Sequence, residues 1–209
     1  MINPYSPNRA RRLIAKFDTF LEQLESKYGV PADWLRAVLY REMTQIDLLD
    51  LVADFAVYFY YFRRRLYRLL FRKELPATAS RFLGKKDSST GYAQIFGFVA
   101  INAANFALDR GIADYAGLGI VSDHRLDPQN LDDLWMIWRR LNRDRRFNLE
   151  LGALNLLSAA EEMNGSIHCS AFSPEEMKKT FTRYNANVRE ITRYGEETYR
   201  TYLDYQRKV

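Results

Sequence analysis

The sequence predicts an all-α fold, mainly helical with an α+β character at most. Apolar residues recur at helical spacing along most of the chain, and no strand-like alternation lasts long. Gly and Pro are few, ten and six in 209 residues, so the interior of most segments is free of helix breakers. Apolar residues make up 47%, enough for a substantial core, and the length suits a single domain over residues 1–209.

The elements follow in order. An amphipathic helix is expected within residues 1–28, from about Asn8 to Tyr28, with Leu13, Phe17, Phe20, Leu21 and Leu24 on its apolar face. Gly29 ends it, and Pro31 stands near the start of the next helix. That second helix places Leu35, Val38, Leu39 and Glu42 at i, i+3, i+4, i+7 spacing, and Ile46 and Leu49 extend the face. Residues 46–86 form a helical insertion and loop. Its helix, Ile46 to Arg72, carries an unbroken apolar run from Phe55 to Phe62, too short to span a bilayer, followed by Arg63, Arg64, Arg65 and Arg68. Three placements are open to it: packing inside its own domain, which is the expectation, an anionic membrane surface, or self-association. A Pro-, Gly- and Ser/Thr-containing loop then runs from Lys73 to Asp87. Further helices are expected over Ile95–Arg110, Leu131–Leu141 and Phe147–Met163, with an irregular stretch from Tyr115 to Pro128. Ser173-Pro174-Glu175-Glu176 has helix-start chemistry: a Ser cap, Pro in the first turn, and acids beside the positive helix end. A last helix covers Gly195 to Arg207.

Composition excludes some chemistry and leaves other partners open. The formal net charge is +5, which suits an anionic polymer or surface. No nucleic-acid motif accompanies it, so nucleic acid is not an expected partner. One cysteine, Cys169, rules out an intrachain disulfide. With only His124 and His168 beside it, a Cys/His zinc site is not expected, and no cofactor is implied. Adjacent His168 and Cys169 seldom face each other as a nucleophile pair needs. Residues 1–12 are polar and lack the apolar core of a signal peptide. The sequence therefore implies a dedicated export route, retention in the cytoplasm until release, or separation from a leader.

Glu42 is the most informative residue. A carboxylate on an apolar helix face is costly when ionised, so its pKa should rise. A carboxylic acid that holds its proton near neutral pH is what general acid catalysis requires. The ordinary alternative is a Glu that reaches water or pairs with an Arg. Downstream, Asp87-Ser-Ser89-Thr-Gly91-Tyr-Ala-Gln94-Ile95 reads as a polar turn entering a helix. Gly91 permits close backbone approach, and Gln94 both donates and accepts, as sugar hydroxyls and N-acetyl groups demand. Tyr184 and Asn185 offer an apolar face, a hydroxyl and a two-way amide.

Taken in order, Tyr40-Arg-Glu42, Ser89-Thr-Gly91-Tyr-Ala-Gln94-Ile95, Phe147-Asn148-Leu-Glu-Leu-Gly152 and Tyr184-Asn185-Ala186 resemble the lysozyme superfamily, in its goose-type lysozyme and soluble lytic transglycosylase branch. The resemblance covers roughly Tyr28 to Tyr202. This chain departs from the family pattern at Met43, at Tyr92 and Ala93, at Asn187, and in the long gap between Glu42 and Gly91. The resemblance implies a lysozyme-like domain carrying an aromatic insertion. It implies cleavage of peptidoglycan strands at the N-acetylmuramic acid–β-1,4–N-acetylglucosamine bond, at the bacterial cell wall. Glu42 is the implied general acid, and Ser89, Gly91, Gln94, Tyr184 and Asn185 the implied substrate contacts. A second carboxylate separates a hydrolase from a lytic transglycosylase. Asp87 is the first candidate for it, with Asp47, Asp50 and Asp54 as rivals. The alternative is a non-catalytic glycan-binding or membrane- or partner-docking module on the same fold.

Overall fold

The computed structural model describes residues 5–76 and 84–207. Among these residues the chain forms nine α-helices and no strand, with one isolated bridge between Thr90 and Ile95. The helices are α1 (Pro7–Ala15), α2 (Asp18–Tyr28), α3 (Ala32–Gln45), α4 (Leu48–Phe71), α5 (Gly97–Asp109), α6 (Leu131–Arg143), α7 (Arg145–Asn164), α8 (Pro174–Asn185) and α9 (Arg193–Gln206). The all-α class expected from periodicity is therefore what the molecule shows. Part of the expected Lys73–Asp87 loop lies outside the described residues.

Helix α7 is the central element. Its middle is buried on several sides, with Phe147, Leu149, Leu151, Leu154, Leu156 and Leu157 in the core, as a helix surrounded by others must be. It packs against α2, α5, α6 and α8, while α3 packs against α1, α2 and α9. The start signals behave as their chemistry requires. Ser173 and Glu176 form a reciprocal capping box at α8, and Asp47 with Asp50 does the same at α4.

Three boundaries differ from expectation. The first helix is two helices, because the N–H groups of Lys16 and Phe17 bond back to Leu13 and Ile14, tightening and then breaking the turn. The break lets Ala10 and Ile14 of α1, and Leu21, Leu24 and Tyr28 of α2, all reach the same core. Second, the Glu42 face does not run on to Leu49. The chain leaves the helix at Ile46 and restarts at the Asp47 cap, so Ile46 is buried and Leu49 is 72% exposed. Third, α9 begins at Arg193 under a Thr192 cap, ahead of Gly195.

The aromatic helix α4 corrects the expectation that it packs inside the domain. Only one face does so: Val57, Tyr60 and Tyr61 are buried in a cluster with Trp138, and Tyr58 and Trp135 pack against it. Phe55 and Phe62, on the outer face, are 70% and 63% exposed. Trp138→Ala should thus cost about 3–5 kcal/mol, as large-to-small changes at fully buried aromatics do. It also deletes the indole N–H that holds the Ser88 carbonyl. Phe55→Ala should stay within about 0.5 kcal/mol of wild type. Thermal denaturation of the two variants checks the contrast.

Candidate active site

Glu42 occupies the last turn of α3, where the negative end of the helix dipole already disfavours a carboxylate. It faces a cleft of about 550 Å³ and is crowded by protein on its other sides. Burial raises its pKa from 4.5 to about 7. Tyr194, brought over it by α9, donates its hydroxyl to Glu42 Oε1. That bond and the nearby Arg41 guanidinium favour the ionised form, while the Asp50 carboxylate opposes it. Desolvation wins, so near neutral pH the group is poised between acid and base. The phenols of Tyr184 and Tyr194 are pushed well above their ordinary range by burial and then by the Glu42 charge, so both remain hydrogen-bond donors.

The opposite wall is the turn from Thr90 to Ile95, closed by the Thr90 N–H on the Ile95 carbonyl (3.1 Å). Asn148, fully buried on α7, clamps it. Its Oδ1 accepts from the Ala93 N–H (2.8 Å) and its Nδ2 donates to the Thr90 carbonyl (3.0 Å). Gly91 is in the left-handed region, φ 73°, and a Cβ there would lie 2.4 Å from Asn148 Nδ2. No side chain fits that position. Gly152, one turn along α7, lets the helix approach the same turn, since a Cβ there would stand 3.0 Å from that of Ala93.

The clamp holds Gln94 at φ 44°, a strained backbone region for a residue with a long side chain. The result aims Gln94 into the cleft. Its amide is organised within the turn: Nε2 donates to the Gly91 carbonyl (2.7 Å) and Oε1 accepts from Ser89 Oγ (3.3 Å). One N–H and one lone pair remain for a ligand.

Of the residues expected from the sequence, Glu42, Ser89, Gln94, Tyr184 and Asn185 line this one cleft. Gly91 supports it from behind. The Tyr184 hydroxyl proton is committed to the Ala93 carbonyl (2.7 Å) and so is not free for a ligand.

Asp87 is not among the cleft-lining residues. Its two oxygens accept from the N–H groups of Gly97 (2.8 Å) and Phe98 (2.9 Å), capping α5. Burial raises its pKa against those two bonds. Asp54 accepts from Ser88, Thr90 and Asn142, tying α4 to the turn and to α6. Asp47 caps α4. Asp50 is the rival carboxylate that lines the cleft, with one oxygen on the Asp47 N–H (2.9 Å).

Tyr194 behind the cleft, and Phe96, Phe98 and Asn155 in its lining, were not expected from the sequence. Tyr194 holds the acid. Phe96 and Phe98, 39% and 43% exposed with ring centroids 5.6 Å apart, offer apolar faces. Asn155 Nδ2 is buried without a partner among the described residues, a donor without an acceptor at the cleft wall. No group of three or more metal-ligating side chains occurs among the described residues. Cys169 is buried, and burial pushes its thiol up to about 12, which leaves no thiolate at neutral pH.

Comparison with protein families, with curated proteins and with solved structures returns no match to this chain.

Proposed function

We propose that this chain is a glycosidase of the lysozyme-like type, cleaving the β-1,4-linked N-acetyl sugar strands of peptidoglycan with Glu42 as general acid. The observation that carries the reading is a carboxyl held by a phenol in a polar and aromatic cleft, with a pKa of about 7, beside a second cleft carboxylate, Asp50. Around it stand the chemistries a sugar requires. Gln94, Asn155 and Asn185 supply amide groups for hydroxyl and acetamido partners, and Phe96 and Phe98 supply apolar faces. The ordered motifs that resemble goose-type lysozymes and lytic transglycosylases support the same reading.

In this mechanism Glu42 gives its proton to the glycosidic oxygen, the C1–O bond breaks, and the leaving sugar departs as an alcohol. Two completions balance. Water adds to C1 and returns a proton to the Glu42 carboxylate, or the substrate's own C6 hydroxyl adds to C1 and returns the proton, leaving an anhydro sugar. Asp50, which lines the cleft, is the carboxylate to which this reading gives the orienting of water in the first route. Mass spectrometry of a purified peptidoglycan digest tests the reading, since reducing ends report hydrolysis and anhydro ends the internal route. A digest with no new ends overturns it.

The pH profile has a predicted sign. A general acid must be protonated, so the rate should be level below pH 7 and fall about tenfold per pH unit well above it. Tyr194→Phe removes a bond to the ionised form and should move that limb to higher pH. Asp50→Asn removes a like charge and should move it to lower pH. Limbs that do not move in opposite directions separate the two residues from Glu42's titration.

A further inference from the structure

Helix α4 has a second face that is exposed and carries none of the described core contacts. Val52, Phe55, Phe59, Phe62, Leu66 and Leu69 recur every three or four residues and form one row. Five of the six are between 43% and 77% exposed. Leu70 and Phe71 widen the row at its C-terminal end, at 64% and 58%. The opposite face already packs on the domain through Val57, Tyr60 and Tyr61. Single exposed apolar residues are ordinary, but a continuous row along a helix of 24 residues marks a contact surface.

The charges beside the row are of one sign. Arg63, Arg65 and Arg72 flank its C-terminal half. The acids of α4 are at its other end and are engaged elsewhere: Asp50 in the cap and cleft, Asp54 in the bonds to Ser88, Thr90 and Asn142. Next to the row, between α4 and α6, lies a cavity of about 450 Å³ whose lining includes Phe62, Arg65, Trp135, Arg139 and Arg143, and one acid, Asp132, which is paired with Arg64 and Arg68. Arg65 and Arg139 have no acidic partner among the described residues. A cavity with guanidinium groups and an indole beside an apolar row has the layout of a headgroup site at a lipid interface.

We infer that the outer face of α4 docks on an anionic lipid bilayer, lying in the plane of the interface. Phe55, Phe62 and Leu69 enter the acyl boundary while Arg65 and Arg139 take headgroup phosphates. Charge decides between this occupant and a second copy of the chain. The exposed acids beside the C-terminal half of α4, Glu74 and Asp132, are already paired with Arg64 and Arg68, so a second α4 offers no free acid to neutralise Arg65 and Arg139, whereas anionic headgroups do. The helix lies on the surface and does not cross it, since no helix among the described residues is long and apolar enough to span. The cleft begins where α4 begins, at Asp50, so docking keeps it within about 36 Å of the lipid, the length of the helix at 1.5 Å per residue. The inference stands independently of the glycosidase reading.

Co-sedimentation of the full chain tests it, with vesicles of phosphatidylcholine alone and of phosphatidylcholine and phosphatidylglycerol in equal parts. Binding should be confined to the anionic vesicles and weaken with salt. The triple variant Phe55→Ser, Phe62→Ser, Leu69→Ser should lose more than about tenfold in binding with little change in melting temperature, because these side chains are 63–77% exposed in the free protein. Arg65→Glu with Arg139→Glu should lose at least about fivefold per arginine. Failure of the wild type to bind anionic vesicles, equal binding to both compositions, or unaltered binding by both variants overturns the inference. So does a concentration-dependent dimer in sedimentation equilibrium that the triple variant disperses, which assigns the row to a second copy instead.

Discussion

Glu42→Gln should abolish glycan cleavage and make the protein more stable at alkaline pH. The loss follows from the role of the proton: the amide is isosteric, still accepts the Tyr194 hydroxyl, and has no acidic proton to give. The expected fall is at least 10²–10⁴-fold, the usual range for a missing general acid. The gain follows from linkage. The folded state raises this carboxyl from 4.5 to about 7, so between those values it binds more protons than the unfolded chain. Stability therefore falls as pH rises from 4.5 to about 7, and the full penalty is present above. A shift of that size corresponds to at most about 3 kcal/mol, less where cleft water screens the charge. The glutamine variant carries no such penalty. Its melting temperature should exceed wild type by several degrees at pH 8, on the order of 2–4 °C per kcal/mol for a chain of this size, and should match it at pH 4. Equal melting temperatures at pH 8 would mean that Glu42 is not desolvated, whatever its activity. Activity retained with the stability gain would mean that the buried acid is structural. The two measurements thus separate the electrostatics of the residue from its chemistry.

The sequence made the strain at Glu42 legible because a helical stripe is a local property. Leu35, Val38 and Leu39 define the face, and the acid stands out against them. The convergence of Gln94, Tyr184 and Asn185 on it came only through the order of motifs, since nothing in their own segments says where they meet. Asp87 shows the opposite case. A carboxylate before a helix reads equally as a cap or as a cleft acid, and the choice rests on where the α5 N–H groups point, which a sequence does not contain. Tyr194 was invisible for a similar reason: α3 and α9 are 152 residues apart at the Glu42–Tyr194 bond. Asn155 was within reach. Asn148, Gly152 and Asn155 fall at i, i+4 and i+7 in the apolar middle of the helix, and a small or polar row on a central helix points to the element it supports. The outer face of α4 misled because period and apolarity are the same for a core face and for a docking face. Only the burial of Val57 and Tyr61 against Trp138 shows which side the domain uses.

Asn148→Ala should cost stability and activity together, because one side chain holds the wall of the cleft. Its amide satisfies two backbone groups of the turn, the Ala93 N–H and the Thr90 carbonyl, in a fully buried site. Removing it strands both, at about 1–3 kcal/mol each, and leaves a void against Gly91. The expected total is about 3–5 kcal/mol, seen in denaturant or thermal unfolding. Without the clamp nothing compels Gln94 to remain at φ 44°, so the turn relaxes and the cleft loses its positioned amide. Asn148→Asp isolates the cause, since it keeps the shape and changes one atom. Oδ1 still accepts from Ala93, while the other oxygen now faces the Thr90 carbonyl and can bond to it only as a protonated acid. Burial and that carbonyl both raise the folded-state pKa of the new carboxyl. The sign is then fixed: full stability below the unfolded aspartate value of about 4, and progressive loss as pH rises through the raised folded value. An aspartate variant that is as stable as wild type at pH 4 and strongly destabilised at pH 8 identifies the donated bond to Thr90 as what holds the turn. Uniform destabilisation at both pH values would place the cost in packing and release Asn148 from the clamp.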